Sequence, residues 1–185
     1  ANLESDLFWT DLIVGNQVMA DALALFHATH GNVGTPGAIS VTTLSEARKL
    51  MRRQKDIDGV TPISVLPRYL VVSTTDETLA EQIVTQAQGN VYSPDTVANV
   101  NPFASKLIPI TETRLDVSSG LQPWYVFGQN SEIPMAEWAV LQGMEGWPIT
   151  SQYIDEDTKG ITFDAIYDVI FKVIDYRGFV RNAGV

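Results

Sequence analysis

The sequence contains no cysteine, which excludes disulfides, thiolate metal centres and cysteine nucleophiles. It has no apolar run approaching the ~18 residues that would cross a bilayer. No Asn-x-Ser/Thr sequon occurs, and only two histidines are present. Cations are also scarce: 12 Lys+Arg stand against 22 Asp+Glu, a formal net charge of -10. Surfaces that track a phosphate backbone need clustered cations, so a sequence-specific or general nucleic-acid binder is not expected. The opening Ala1-Asn-Leu-Glu-Ser-Asp6 has no basic region and no cleavage pattern, so no signal peptide is expected. It also lacks an initiator Met and enters an apolar pattern almost at once, which predicts a processed or truncated product. The absence of cysteine fits a cytosolic origin.

What is present fits a folded protein. Of 185 residues, 45% are hydrophobic and 18% charged, enough to bury a core in one or two domains. The one basic cluster is Arg48-Lys49, Arg52-Arg53 and Lys55. On a helix these lie opposite Leu44, Ala47 and Met51, which predicts a solvated face.

Residues 6–29 read as a single amphipathic helix, ~35 Å long, with Phe8, Leu12, Met19, Leu23 and Phe26 on one side. Ser5 or Asp6 caps its start, and Gly31 and Gly34 end it. Thr43-Leu-Ser-Glu46 and Thr74-Thr-Asp-Glu77 have the spacing of capping boxes. The first opens a helix that stops near Gly59, and the second opens one with Leu79, Ile83, Val84 and Ala87 inward. Short strands are expected over 63–66, 69–73, 106–110, 124–127 and 136–141, with Pro67, Pro109, Pro123, Pro134 and Pro148 confining them to edges or bends. Residues 88–103 read as an irregular exposed excursion.

The most distinctive element is 161–174. Ile161, Phe163, Ala165, Tyr167, Val169, Phe171 and Val173 occupy every second position, while Thr162, Asp164, Asp168 and Lys172 take the other face. Period two predicts one β-strand ~45 Å long against the usual ~20 Å, with its odd positions facing a core. Ile166, Ile170 and Ile174 recur every four residues and keep a helix as the minority reading.

No catalytic motif accompanies these elements. His27 and His30 are three apart, with Ala28 and Thr29 between them, where a zinc-protease helix needs spacing four and an intervening Glu. Capping of a helix C-terminus by His30 is the expected role. There is no nucleophile elbow and no phosphate loop, and the Gly31-x-x-Gly34-x-x-Gly37 run follows a helix instead of opening one. Asp155-Glu-Asp157 with Thr158-Lys-Gly160 is an acidic hairpin connection before it is an acid–base pair or a calcium loop. Trp124, Trp138 and Trp147 read as core or subunit-contact anchors. The expectation is therefore no catalytic, cofactor-binding or metal site, and no cofactor. The competing readings are a hydrolase using His27/His30 or the Asp155 cluster, and a free-standing ligand-binding domain.

Several segments, taken in order, resemble a known family. Leu25-Phe-His-Ala-Thr-His-Gly-Asn32 is similar to the turn after the spine helix in major capsid proteins of the Hong Kong 97 type. Leu44–Gln54 with Gly59 resembles the helix that follows. Pro67-Arg-Tyr-Leu-Val-Val-Ser73 with Leu79–Ile83 resembles the strand and helix of the axial domain. Asn101-Pro-Phe-Ala104 before Leu107-Ile-Pro-Ile110, then Trp124-Tyr-Val-Phe-Gly128, resemble its next strands, and Asp175–Gly184 the closing segment. The likeness is to the C-terminal capsid portion of the Mu-like branch, in which a head-maturation protease is often fused upstream.

The resemblance implies an α+β, Hong Kong 97-like fold, with the spine-helix part of a peripheral domain over 1–34 and an axial domain over 35–140. Residues 141–185 would return through the peripheral domain, by the long strand, to the axial one. It implies a structural, non-enzymatic head protein of a tailed phage or prophage, self-assembling into an icosahedral shell around DNA. Its partners would be copies of itself, as pentamers and hexamers in the full-length protein and a monomer or small ring for this fragment, with other head proteins possible and no membrane. It would be assembled in the bacterial host cytoplasm and reside in the virion. The family's N-terminal arm and extended loop precede the spine helix and are not expected within this chain.

Overall fold

The computed structural model describes residues 2–85, 101–116, 120–143, 148–154, 157 and 159–185. In chain order its helices are α1 (Asn2–Asp6), α2 (Val41–Arg52) and α3 (Glu77–Thr85). Its strands are β1 (Tyr69–Val72), β2 (Ile108–Thr111), β3 (Trp124–Phe127), β4 (Ala136–Val140), β5 (Ile149–Ile154), β6 (Ile161–Ile166), β7 (Val169–Val173) and β8 (Phe179–Asn182).

The core is built on a four-stranded sheet of order β2-β1-β3-β8. β1 and β2 run parallel, and the other neighbours are antiparallel. Tyr-Leu-Val-Val and Trp-Tyr-Val-Phe are unbroken apolar runs because both faces of the sheet are covered. Leu70, Val71, Val72, Trp124, Tyr125, Val126, Phe179 and Val180 are all buried in it. α2 closes on β8 and buries Leu44, Ala47 and Met51. α3 lies against β1 and β2 through Ala80 and Val84. Leu79, expected inward, is on the outer side of α3, and Ala80 takes its place.

The expected helix over 6–29 does not form. α1 passes into a π-helical segment, Leu7–Val14, which ends when Gly15 N–H bonds to Thr10 O. The chain then doubles back as a small hairpin, with Val18 opposite Ala24 and Leu25 N–H on Gln17 O. Asn16 sits at φ +53°, and its side-chain amide both accepts from Phe26 N–H and donates to Phe26 O. Phe26 is buried as the helical pattern required, but by a loop tied through side-chain amides, and Leu25, which that pattern did not place inward, is buried where Leu23 is only partly so. The helical stretch therefore ends at Val14 and does not run on to residue 29.

The single long strand is also overturned. β6 and β7 are separate, interrupted at Tyr167-Asp168, and they pair with different strands. Together with β4 and β5 they form two two-stranded ribbons, β4–β7 and β5–β6. β5 and β6 pair antiparallel, with Ile154 opposite Ile161. Ile161 and Phe163, expected in a core, are 64% and 77% exposed, and only Val173 of the odd positions is buried. Alternation was present, but none of the described residues covers the far end of the β5–β6 ribbon.

Other differences are local. α2 is capped by Ser40 and Thr43, each side chain meeting the other's backbone amide, so the box lies three residues earlier than expected. Glu46 instead accepts from Thr35. Thr74–Asp76 forms a 3-10 turn before α3, and Thr74 gives its N–H and hydroxyl to Asp116 in place of a box with Glu77. Residues 63–66 run without strand partners, and Ile63 N–H is bonded to Gln54 O. Of the expected excursion over 88–103, only Asn101–Phe103 are described, and Phe103 is buried. Trp147, Ala87, Asp155 and Glu156 lie outside the described residues.

Candidate functional site

The two histidines sit in the loop that replaced the helix. His27 is extended at φ -137°, and its Nδ1 accepts from Thr29 N–H, capping a 3-10 turn over Ala28–His30. Gly31 closes that turn at φ +63°, where a side chain would be strained. His30 is buried; its Nδ1 lies 3.0 Å from Leu25 O and its Nε2 2.7 Å from Asp21 Oδ2. Asn32 donates to the same Leu25 carbonyl and accepts from His27 N–H. Gln54, at the end of α2, donates to His30 O. Histidine caps a turn here, as an expected role, but the cap is His27 at an N-terminus and not His30 at a C-terminus.

This arrangement has little to offer catalysis. A general base needs a ring nitrogen free to meet its substrate, and both nitrogens of His30 already face oxygen atoms of the fold. The pairing holds the Asp21 carboxyl below the ordinary carboxylate range, first through the hydrogen bond from His30 and next through Leu23 N–H. Among the described residues, no three His, Asp or Glu side chains gather closely enough to hold a metal ion. The Asp155 cluster is far from this loop in sequence, and of its acids only Asp157, which is exposed, is described.

The other candidate is a surface. Every residue of β5 is exposed, and β6 exposes all but Thr162. Tyr153, Ile154, Ile161, Phe163 and Ile166 therefore leave a large apolar area on a ribbon only two strands wide. Such a ribbon is marginal in water by itself, and apolar patches of this kind mark contact surfaces. The neighbouring β4–β7 ribbon is anchored instead: Trp138 stacks on Phe171 at 6.1 Å, and Phe171 meets Phe8 edge-on at 6.2 Å. Tyr167, at the break between β6 and β7, donates its hydroxyl to Glu4, which pushes the Tyr167 pKa up.

Trp124 is in the core, its indole N–H on Gly37 O, whereas Trp138 is half exposed on the ribbon. Trp9, which the periodic reading passed over, stacks on Phe127 at 6.2 Å and joins the N-terminal segment to the sheet. Its neighbour Phe8 was the available signal, since adjacent aromatics in a helical segment point to two different surfaces.

A covered mixed sheet with two flanking helices and a projecting β-ribbon makes an α+β subunit of the Hong Kong 97-like class. The family model described as phage capsid protein matches residues 1–182, and the chain belongs to that family. Among solved structures it is similar to the encapsulin of the holo-SrpI complex from Synechococcus elongatus PCC 7942, seen by cryo-electron microscopy. The TM-score is 0.55 at 12% sequence identity, over 98% of this chain and 60% of that one. At that identity the likeness is one of fold, and the chain spans about three-fifths of that subunit's length. No curated protein matches the sequence.

Proposed function

We propose that this capsid-family chain builds the shell of a tailed-phage or prophage head by packing against copies of itself, enclosing DNA without catalysing a reaction. The observation that carries the reading is the β5–β6 ribbon, apolar yet left exposed by the described residues of the subunit. Neighbouring copies are its natural cover, in pentamers and hexamers of the full-length protein, while residues 1–185 by themselves form a monomer or a small ring. Residues 35–140 would be the axial part, since they carry α2, α3 and three strands of the sheet. Residues 1–34 and 141–185 would be the peripheral part, with β8 returning to the axial sheet. Membership of the Mu-like branch rests on the wording of 25–32 and 175–184. The virion is the proposed location, reached from the host cytoplasm. Among the described residues no helix is long and apolar enough to cross a membrane.

The test is expression within the natural reading frame, followed by electron microscopy and sedimentation. Closed particles are expected, and a paired Ile161→Asp, Phe163→Asp change should prevent them while leaving the subunit folded. Particles that form equally well with both aspartates would remove the ribbon from the interface. A protein that stays monomeric with its natural flanks would overturn the shell reading. The chain 1–185 alone should sediment as a monomer or small ring.

A further inference from the structure

Four of the twelve cations of this acidic chain converge on one cleft of about 440 Å³. Arg48 and Arg52 reach it from α2, Arg68 from the residue before β1, and Lys106 from the loop before β2. Phe103 and Leu107 supply an apolar floor, and among the described residues Glu132 is the single carboxylate in the wall. Glu132 is already engaged, accepting from Leu66 N–H at 3.2 Å. Among the described residues, none of the four cations has a carboxylate within ion-pair distance.

The positions are held by the backbone. Arg68 N–H bonds to Phe127 O and Arg68 O receives Ile108 N–H, while Lys106 N–H bonds to Phe103 O. The Arg48 guanidinium lies 4.7 Å over the Phe103 ring, so it is directed along the floor and not out into solvent. A cation near a helix C-terminus is ordinarily explained by the helix dipole, and that accounts for Arg52. It does not account for Arg68 and Lys106, which come from adjacent ends of two parallel strands. Arg48 and Arg52 are also like charges one helical turn apart, which weakens a helix slightly unless something neutralises them. In a chain with 22 acids, it is unusual that these four cations lie together with no ion pair among the described residues.

We infer that this cleft is a binding site for a compact phosphate-bearing polyanion. Its volume lies in the ordinary range for small-ligand sites, and its cations form a cup instead of a stripe. An extended nucleic-acid strand would leave the cup and meet a surface of net charge -10, which repels it. A compact anion meets only the cup. Multiple charged donors on one anion make short, strong hydrogen bonds, with arginine gripping two oxygens at once. The inference is independent of the ribbon and of the shell reading.

The test is calorimetric titration of the full chain with sodium tripolyphosphate at fixed ionic strength, alongside thermal melts. Saturable binding at one site is expected, with a raised melting temperature. Arg68→Gln with Lys106→Gln should weaken it about a hundredfold, roughly tenfold for each cation removed. Glu132→Gln keeps the acceptor for Leu66 N–H but removes the negative charge, and should tighten binding. That gain is one a merely structural residue would not produce. Lys49→Gln, a cation on α2 outside the cleft, should change nothing. Absence of saturable binding, or an equal weakening from Lys49→Gln, would overturn the site. So would sulfate binding as well as tripolyphosphate, the mark of an adventitious ion. An eight-nucleotide oligothymidylate binding more tightly than tripolyphosphate would overturn the compact-ligand assignment.

Discussion

The imidazole of His30 lies flat on the phenol ring of Tyr176, with centroids 3.9 Å apart and planes 7° from parallel. This stack ties the loop after the N-terminal helical segment to the turn that precedes β8. Asp21 and Leu25 O hold the edge of the same ring, so the imidazole is fixed in position as well as in plane.

His30→Ala should therefore lower stability by about 2–3 kcal/mol, since it removes the stack and the buried hydrogen bonds together. His27→Ala removes one cap of a short turn and should cost about 1 kcal/mol. Chemical denaturation of each variant checks both values. If the chain is a structural subunit, the double variant has no hydrolytic turnover to lose. A measurable turnover in the wild type that disappears in the double variant would revive the hydrolase reading.

The pH profile should form a plateau with two limbs. Asp21 is held below its ordinary pKa first by His30, and Asp58 first by the Thr61 hydroxyl. A lowered carboxyl pKa means the unfolded chain binds protons first on acidification. The stabilisation from both carboxylates is thus complete above about pH 4 and declines as pH falls further. Asp76, raised by burial, acts in the opposite sense and blunts that limb. Burial also raises Tyr125, so its contribution is complete below about pH 10 and declines above it. Melting temperatures across this range check the shape, and Asp21→Asn should flatten the acid side.

Two phenylalanines on the same alternating stretch should behave differently. Phe171 is half-buried against Phe8 and Trp138 beside the core, and Phe171→Asp should cost about 2 kcal/mol by losing those ring contacts and placing a charge against apolar neighbours. Phe163 is 77% exposed, and Phe163→Asp should change subunit stability by about 0.5 kcal/mol or less. Parallel melts decide the matter. Equal large losses would mean that 161–174 is buried along its length as one element.

Gly184 stands at φ +76°, and a Cβ there would fall 1.7 Å from Gln122 O. Backbone cannot move aside as a side-chain tip can. Gly184→Ala should cost about 2–3 kcal/mol or more, combining left-handed strain with that clash. The comparison is Gly59→Ala, also at positive φ but with open space around it. It should lose only about 1 kcal/mol. Denaturant midpoints of the two variants check the difference.

How far the residues alone could be read follows from what each pattern reports. Trp124–Phe127 and Tyr69–Val72 were legible because a strand covered on both faces is an uninterrupted apolar run, and no distant partner is needed to see it. The order of such segments was enough to reveal the capsid family, and the apolar face of α2 followed from its helical spacing. The segment 6–29 misled because Phe8, Met19, Leu25 and Phe26 meet the core from both a helical stretch and a hairpin. Asn16, whose amide brackets Phe26 ten residues on, decided between them. The stretch 161–174 misled for a different reason. Alternation states which residues share a face, but not what lies against that face. Only the pairing of β6 with β5 and β7 with β4 revealed that one end rests on the core while the other carries Ile161 and Phe163 into solvent. Local pattern is a property of neighbours along the chain, whereas cover is a property of segments brought together by folding, and the ribbon and the basic cleft belong to the second kind.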